Sequence, residues 1–366
     1  MILKNKVKVY IAGAHSRGTT MGHYLQYLNP SVKIMAYLYD NDEENPLEIN
    51  GVPVIKINEK SKLDTECLVY LGIRGVNHVH LTETLTKCGM KHIIPVDMQL
   101  DLEIRNRYLK KYYASIRREY LKIDELNVSG NQTDKENKSV CVYVASSAFD
   151  KPLQNSYTLE EYEKKIQVGA ALTDRDICAE YRDDIGENIS AKNTQFCELT
   201  GLYWIWKHAK EDMVGLVHYR RHFMIPDDWV ERMEYHGVDV VLPLPLYVAP
   251  SIEENYRNRH IGVTWDYMLE YIKENLPEDY EAASVFFKET SLYSPCNMFI
   301  MRREVLDDLC QWMFPILFNV AEQGEILEDS YQNRYPGFIS ERLISYFFDR
   351  NREKYKVVYA DKNFLP

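Results

Sequence analysis

The densest chemistry in this 366-residue sequence lies between Gly186 and His222. A loop of amide side chains, with Asn188 and Asn193, leads through Glu198 into the aromatic run Tyr203-Trp204-Ile205-Trp206. An apolar strand then ends in His218-Tyr219-Arg220-Arg221-His222. Guanidinium forks match phosphate oxygens in a bidentate geometry. In open α/β sheets, ligands sit beyond the carboxyl ends of the strands. His218, Arg220, Arg221 and His222 at a strand end therefore read as a candidate diphosphate site. The plainer alternative is a solvated basic edge.

A second candidate is the loop Gly13-Ala14-His15-Ser16-Arg17-Gly18, between a first strand and a helix. Gly13 and Gly18 have the outer spacing of a G-x-G-x-x-G dinucleotide loop, and Asp40 ends the second strand, where such folds place a ribose-binding acid. His15 occupies the middle glycine position, where a pyrophosphate needs close backbone approach. The loop therefore reads as a turn or a nucleotide-type site ahead of hydride transfer, with an NAD(P)-dependent oxidoreductase as the alternative. The acidic pairs Asp183-Asp184 and Asp227-Asp228 read as solvated loops rather than metal clamps. The seven cysteines are scattered without a C-x-x-C pair, as packing thiols would be.

These residues need elements to hold them. Val7–Ala12, Ile34–Tyr39, Cys67–Ile73 and Ile93–Val96 read as strands, with helices at Thr19–Leu28 and Val79–Cys88. That alternation implies a parallel sheet. A stripe of Ile104, Tyr108, Tyr112, Ile116 and Tyr120 predicts a helix over 104–123, and the polar stretch Asn127–Lys138 reads as a linker. The pattern restarts at Val140–Ala145, with further strands at Met213–His218, Val238–Leu242, Asn297–Met301 and Tyr355–Tyr359. Apolar stripes predict helices through Phe196–Trp206, Val305–Val320 (kinked at Pro315) and Ile339–Phe347. The predicted organisation is a Rossmann-like domain over 1–100, a basic helix and linker over 101–138, and a second α/β domain over 139–366.

Six runs in order carry a resemblance: Ile166–Leu172 (IQVGAAL), Asn188-Ile189-Ser190, Cys197-Glu198-Leu199-Thr200, Gly215–Arg221 (GLVHYRR), Asn297–Met301 (NMFIM) and Gly337–Leu343 (GFISERL). Over 139–359 the sequence resembles a bacterial capsular and exopolysaccharide glycosyltransferase-like family, long described only as a domain of unknown function. The N-terminal stretch resembles the nucleotide-sugar-holding domain of bacterial sugar-acyltransferases. The resemblance implies a GT-A-like fold and sugar transfer from a nucleotide-sugar, UDP-linked and carrying galactofuranose or another hexose. The implied acceptor is a lipid-linked or oligosaccharide acceptor of surface-polysaccharide assembly. A non-catalytic nucleotide-sugar-binding protein of the same pathway is the rival.

GT-A transferases commonly hold Mn²⁺ or Mg²⁺ with Asp-x-Asp at the strand end. No Asp-x-Asp stands at the expected strand end, where His218-Tyr219-Arg220 takes its place, so cations of the chain could neutralise the leaving diphosphate. No cofactor is firmly implied, and the reading leans to metal independence. An inverting transfer needs a base for the acceptor hydroxyl. Glu341, expected to open a helix beside Arg342, is the candidate; its alternative role is a carboxylate favoured at a helix N-terminus. Glu198 suits a sugar hydroxyl or a structural bond. Asn188, Asn193 and Asn297 suit base or sugar hydroxyls.

Charge sets the partners. With 44 Lys+Arg against 55 Asp+Glu the net charge is −11, which argues against nucleic-acid binding. No apolar run is long enough to span a bilayer, and Met1–Lys6 lacks a signal-peptide core, so a cytoplasmic chain is expected. Residues 104–123 carry seven cations against Glu119 alone. They read as a connector packing its tyrosine face, or as a peripheral contact at the inner face of the cell membrane. Tyrosine, 28 residues in all, offers an apolar face with a polar tip that suits sugar rings.

Overall fold

The computed structural model describes residues 7–128 and 138–366; most of the predicted linker, 129–137, and the first six residues lie outside them. The chain separates into two compact units, divided between Tyr120 and Leu121.

The first unit is built on a sheet whose strands lie in the order Glu48–Ile49, Val52–Lys56, Val32–Tyr39, Val7–Ala12, Leu68–Leu71 and His92–Pro95. All pair in parallel except the short edge strand Glu48–Ile49. Helices Ser16–Leu28, His78–Lys87 and Met98–Ser115 complete a Rossmann-like arrangement. The central strand, Val7–Ala12, is buried over its last four residues, as a strand covered on both faces must be.

The glycine loop is explained by close packing. Gly13 has φ +116, and a Cβ on Gly18 would lie 2.0 Å from the Gly13 carbonyl oxygen. The backbone of Gly72 also meets Gly18, 2.9 Å from where its own Cβ would stand. Asp40 is engaged by His80 at 3.3 Å and by the Thr84 hydroxyl, and the His15 ring bonds Glu43. Gly18→Ala forces backbone against backbone, so it is expected to destabilise this unit by about 2–3 kcal/mol. Calorimetry of the full chain checks this, and an unchanged first transition would refute it.

The predicted helix over 104–123 is corrected to Met98–Ser115. Arg117 turns left-handed (φ 56), and Tyr120 folds back to donate to Asn106 Oδ1 at 2.8 Å. Its apolar stripe packs on the first helix, with Tyr108 against Tyr24 at 4.5 Å and Tyr27 at 4.9 Å between ring centroids. The face that a membrane would need is thus turned inward. Several cations are also occupied: Arg105 by Asp101, Arg107 by Glu103, and Lys111 by the Tyr27 and Leu28 carbonyls at a helix C-terminus. Among the described residues no helix is long and apolar enough to cross a membrane.

The second unit is built on an eight-stranded sheet in the order Phe223–Met224, Val357–Lys362, Val240–Pro243, Phe299–Arg302, Met213–His218, Val140–Ser146, Glu163–Gln167 and Tyr181–Arg182. Phe299–Arg302 runs antiparallel to both its neighbours, while Met213–His218, Val140–Ser146, Glu163–Gln167 and Tyr181–Arg182 are mutually parallel. This reversal matters for the site. It brings the start of Phe299–Arg302 to the edge where the neighbouring strands end.

Strands and helices shift from their predicted bounds for local reasons. The strand expected at Asn297 begins at Phe299, because Cys296 and Asn297 are left-handed (φ 78 and 48). The helix expected to open at Glu341 runs Tyr335–Arg350, with Pro336 in its first turn, so Glu341 lies in the second turn. Arg303–Gln323 buries Val305, Leu309, Met313, Ile316 and Val320 along one face, with Pro315 inside. Helices Ile252–Arg259, Gly262–Asn275 and Pro277–Glu289 had no counterpart in the sequence reading.

Candidate active site

Four pieces of chain meet at this sheet edge. His218 ends its strand, Cys296 and Asn297 lead into the reversed strand, Glu198 precedes helix Leu199–His208, and Glu341 projects from helix Tyr335–Arg350. Asn297 is the clip between them. Its Nδ2 donates to Glu198 Oε1 (2.8 Å) and to the Gly337 carbonyl (3.0 Å), while its Oδ1 accepts from the fully buried Ser340 hydroxyl (2.7 Å). Asn297 is 2% exposed and uses both ends of its amide on protein, so it positions Glu198 and does not offer itself to a ligand.

Cys296 contributes through its backbone. Its carbonyl accepts from His218 Nε2 at 2.5 Å, and its N–H donates to Glu341 Oε1 at 2.6 Å. A carbonyl only accepts, so Nε2 carries the ring proton and Nδ1 is left as an acceptor. Burial lowers the His218 pKa, the Glu198 charge pulls it up and the Arg221 charge pushes it down. Glu341 is shifted the other way. Burial raises its pKa above the ordinary carboxylate value, while Arg342, 2.7 Å from Oε2, and the Cys296 N–H pull it down. Arg342 is buried and lies over the Tyr293 ring at 4.2 Å.

Backbone strain gathers at the same place. Cys197 (φ 49), Cys296 (φ 78) and Asn297 (φ 48) are left-handed and not glycine, each costing about 1–3 kcal/mol. Such strain persists where the surroundings over-determine it, and it clusters at functional sites. Cys197 is held by Arg334, whose Nε lies 2.9 Å from Sγ, and burial pushes its thiol up to about 11.

Positive charge faces these carboxylates. Arg221 and Lys362 both push the His218 pKa down, and both act on Cys296; Arg221 also lowers that of Glu341. Lys362 ends the strand beside Val240–Pro243, and Arg221 lies over Phe364 at 5.6 Å.

The structure thus brings Glu198, His218, Arg221, Asn297 and Glu341 together and directs four other candidates elsewhere. Asn188 donates to the Asp184 and Gly186 carbonyls, and Asn193 to the Cys197 carbonyl and Thr200 hydroxyl. Both close loops. Arg220 donates to the Lys151 and Pro152 carbonyls at 3.2 Å, over the loop after Val140–Ser146. There burial pushes Asp150 up to about 6, against the Ser147 N–H and the Arg220 charge. His222 is buried in a 2.7 Å pair with Glu163. Lys362, Arg334 and the Cys296 backbone were missed; only their chain-distant pairing reveals them.

Among the described residues, no three or more His, Cys, Asp and Glu side chains converge to hold a metal ion.

Residues 148–352 match a family described as "Domain of unknown function (DUF4422)". Among solved structures, the WbbM bifunctional glycosyltransferase in its apo form is 26% identical with a TM-score of 0.54, over 62% of this chain and 45% of that one. The chain thus spans less than half of that protein. A second, core-mannan synthase A (CmsA/Ktr4) from Aspergillus fumigatus in a Mn/GDP form, is 12% identical over 99% of this chain and 75% of that one, and its TM-score of 0.22 carries no argument. No curated protein matches. The second unit therefore has the GT-A-like architecture implied by its motifs. More than half of the chain falls within the matched span, and the chain belongs to the DUF4422 family.

Proposed function

We propose that the second unit is a glycosyltransferase that moves a hexose, galactofuranose among the candidates, from a UDP-linked donor to a growing surface-polysaccharide acceptor. The observation that supports this most is Glu341, a carboxylate 15% exposed with a raised pKa, set against Arg221 and Glu198 at a sheet edge of glycosyltransferase-like fold.

In an inverting displacement, Glu341 takes the proton of the acceptor hydroxyl as its oxygen attacks the anomeric carbon. The bond from that carbon to the donor phosphate breaks, and the nucleoside diphosphate leaves with the electron pair. Arg221 and Lys362 offset the charge that grows on it. Each Glu341 oxygen keeps a second lone pair for the incoming hydroxyl, because only one is used by Cys296 or Arg342. Glu198, fixed by Asn297, accepts from a sugar hydroxyl.

The test is release of UDP from a panel of UDP-sugars, with and without carbohydrate acceptors. Arg221→Ala is expected to raise the donor KM about 10–100-fold, the loss of one or two charge-assisted bonds. If no donor binds or turns over with any acceptor, the proposal fails.

A further inference from the structure

Helix Tyr335–Arg350 and the residue before it present a stripe beside the proposed base. Arg334, Phe338 and Glu341 stand at i, i+4 and i+7, so they share a face. Phe338 does not stand alone on it. The His260 ring stacks on it at 4.0 Å with 21° between planes, and the Tyr331 ring lies 5.0 Å away. Tyr331 is 49% exposed and Phe338 partly so. Arg334 joins this aromatic surface to the centre: it contacts Cys197 and feels the charges of Glu198 and Tyr331.

The histidine serves as a flat ring here. Burial and the Arg342 charge lower its pKa to about 4, so it is neutral near pH 7. Its Nδ1 and the Gln332 amide oxygen lie 3.4 Å apart, and Gln332 is anchored on the Arg259 carbonyl at 3.0 Å, which sets the ring plane. Three aromatic rings from separate segments, part open to solvent one helical turn from a carboxylate, exceed what packing requires.

We propose that Tyr331, Phe338 and His260 form the acceptor-sugar subsite, stacking the apolar face of one hexose ring while Glu198 and Arg334 meet its hydroxyls. Its identity as the acceptor side rests on the transferase reading above; the binding of a sugar there does not. Aromatic faces take the C–H face of a sugar, and the polar rim of this platform fixes which hydroxyls point toward Glu341.

The test is a ligand-observed NMR titration of the full chain, without donor, using the methyl glycosides of galactose, glucose and mannose in pyranose and furanose forms. At least one is expected to bind. Tyr331→Ala should weaken it about tenfold, the loss of one aromatic contact, while Tyr331→Phe, which keeps the ring, and Tyr235→Ala, an exposed tyrosine elsewhere, should not. Absence of binding by every glycoside overturns the subsite. So does a weakening below about threefold in Tyr331→Ala, or an equal loss in Tyr331→Phe. Because no donor is present, a chain that binds through Tyr331 but never releases UDP refutes the transferase alone. One that releases UDP but binds no glycoside refutes the subsite alone.

Discussion

Glu341→Gln is expected to lower sugar transfer by about 10²–10⁴-fold, the range for removing a positioned general base, with the donor KM little changed. The substitution is close to isosteric. Its amide oxygen still accepts the Cys296 N–H, now at 2.6 Å from Glu341 Oε1, so the left-handed turn into the reversed strand keeps its anchor. What disappears is a group able to take a proton. The pH profile separates this from a structural effect. Activity must rise as Glu341 loses its proton, and burial sets that limb above the ordinary carboxylate range; in the glutamine variant the limb should vanish.

Two stability effects oppose each other in that variant. A folded pKa above the unfolded one means that ionising Glu341 costs the folded state as pH rises through that window, so removing the charge relieves the cost at neutral pH. Against this, the buried Arg342 loses its carboxylate and keeps the Phe338 carbonyl and the Tyr293 and Tyr256 faces. The melting temperature should therefore change little. A folded variant that transfers within about fivefold of the parent would remove Glu341 from the base role.

How much of this centre could be read from sequence depends on what makes each residue visible. Glu198, His218, Arg221, Asn297 and Glu341 carry distinctive side chains within motifs, so they could be nominated one by one. Nothing in the linear pattern distinguishes Arg221 from Arg220. Only the fold sends one toward Glu341 and the other to the Lys151 and Pro152 carbonyls. Lys362 belongs to the site because its strand pairs beside Val240–Pro243, a contact spanning more than a hundred residues. Cys296 acts through backbone atoms and a positive φ that composition never signals for a cysteine.

The central strands of both sheets were legible because they are apolar runs between helical stripes, whereas short strands such as Glu163–Gln167 and Phe223–Met224 carry no such run. The helix over 104–123 was misjudged because Tyr120 keeps the i+4 spacing after the chain has already turned at Arg117. Periodicity records which residues are buried, and Tyr120 is buried by folding back onto Asn106 rather than by continuing the helix.

Asp183 shows the same limit with the largest consequence for stability. In the sequence it is half of an acidic pair expected in a solvated loop, and Asp184 does pair with Arg182 at the surface. Asp183, however, is 0% exposed. Its Oδ2 accepts the Gly169 N–H at 2.8 Å, and its Oδ1 accepts the Ala170 N–H at 3.0 Å and the Ser190 hydroxyl at 2.5 Å. Ser190 in turn receives the Ala171 N–H. One carboxylate thus satisfies three donors where water does not reach.

Asp183→Ala strands two amides and a hydroxyl and leaves a hole, so it is expected to cost about 3–5 kcal/mol. The melting temperature of this unit should fall by roughly 10 °C. The damage should reach the centre through Asn193, whose side chain packs where a Gly169 Cβ would stand, at 2.7 Å, and holds the Cys197 carbonyl next to Glu198. Donor turnover should therefore decline with stability, and Asp183→Asn, which keeps one acceptor but turns a donor toward another, should fall between the two. Thermal unfolding of the three proteins decides the matter. If Asp183→Ala melts within about 2 °C of the parent, this carboxylate does not hold the loop.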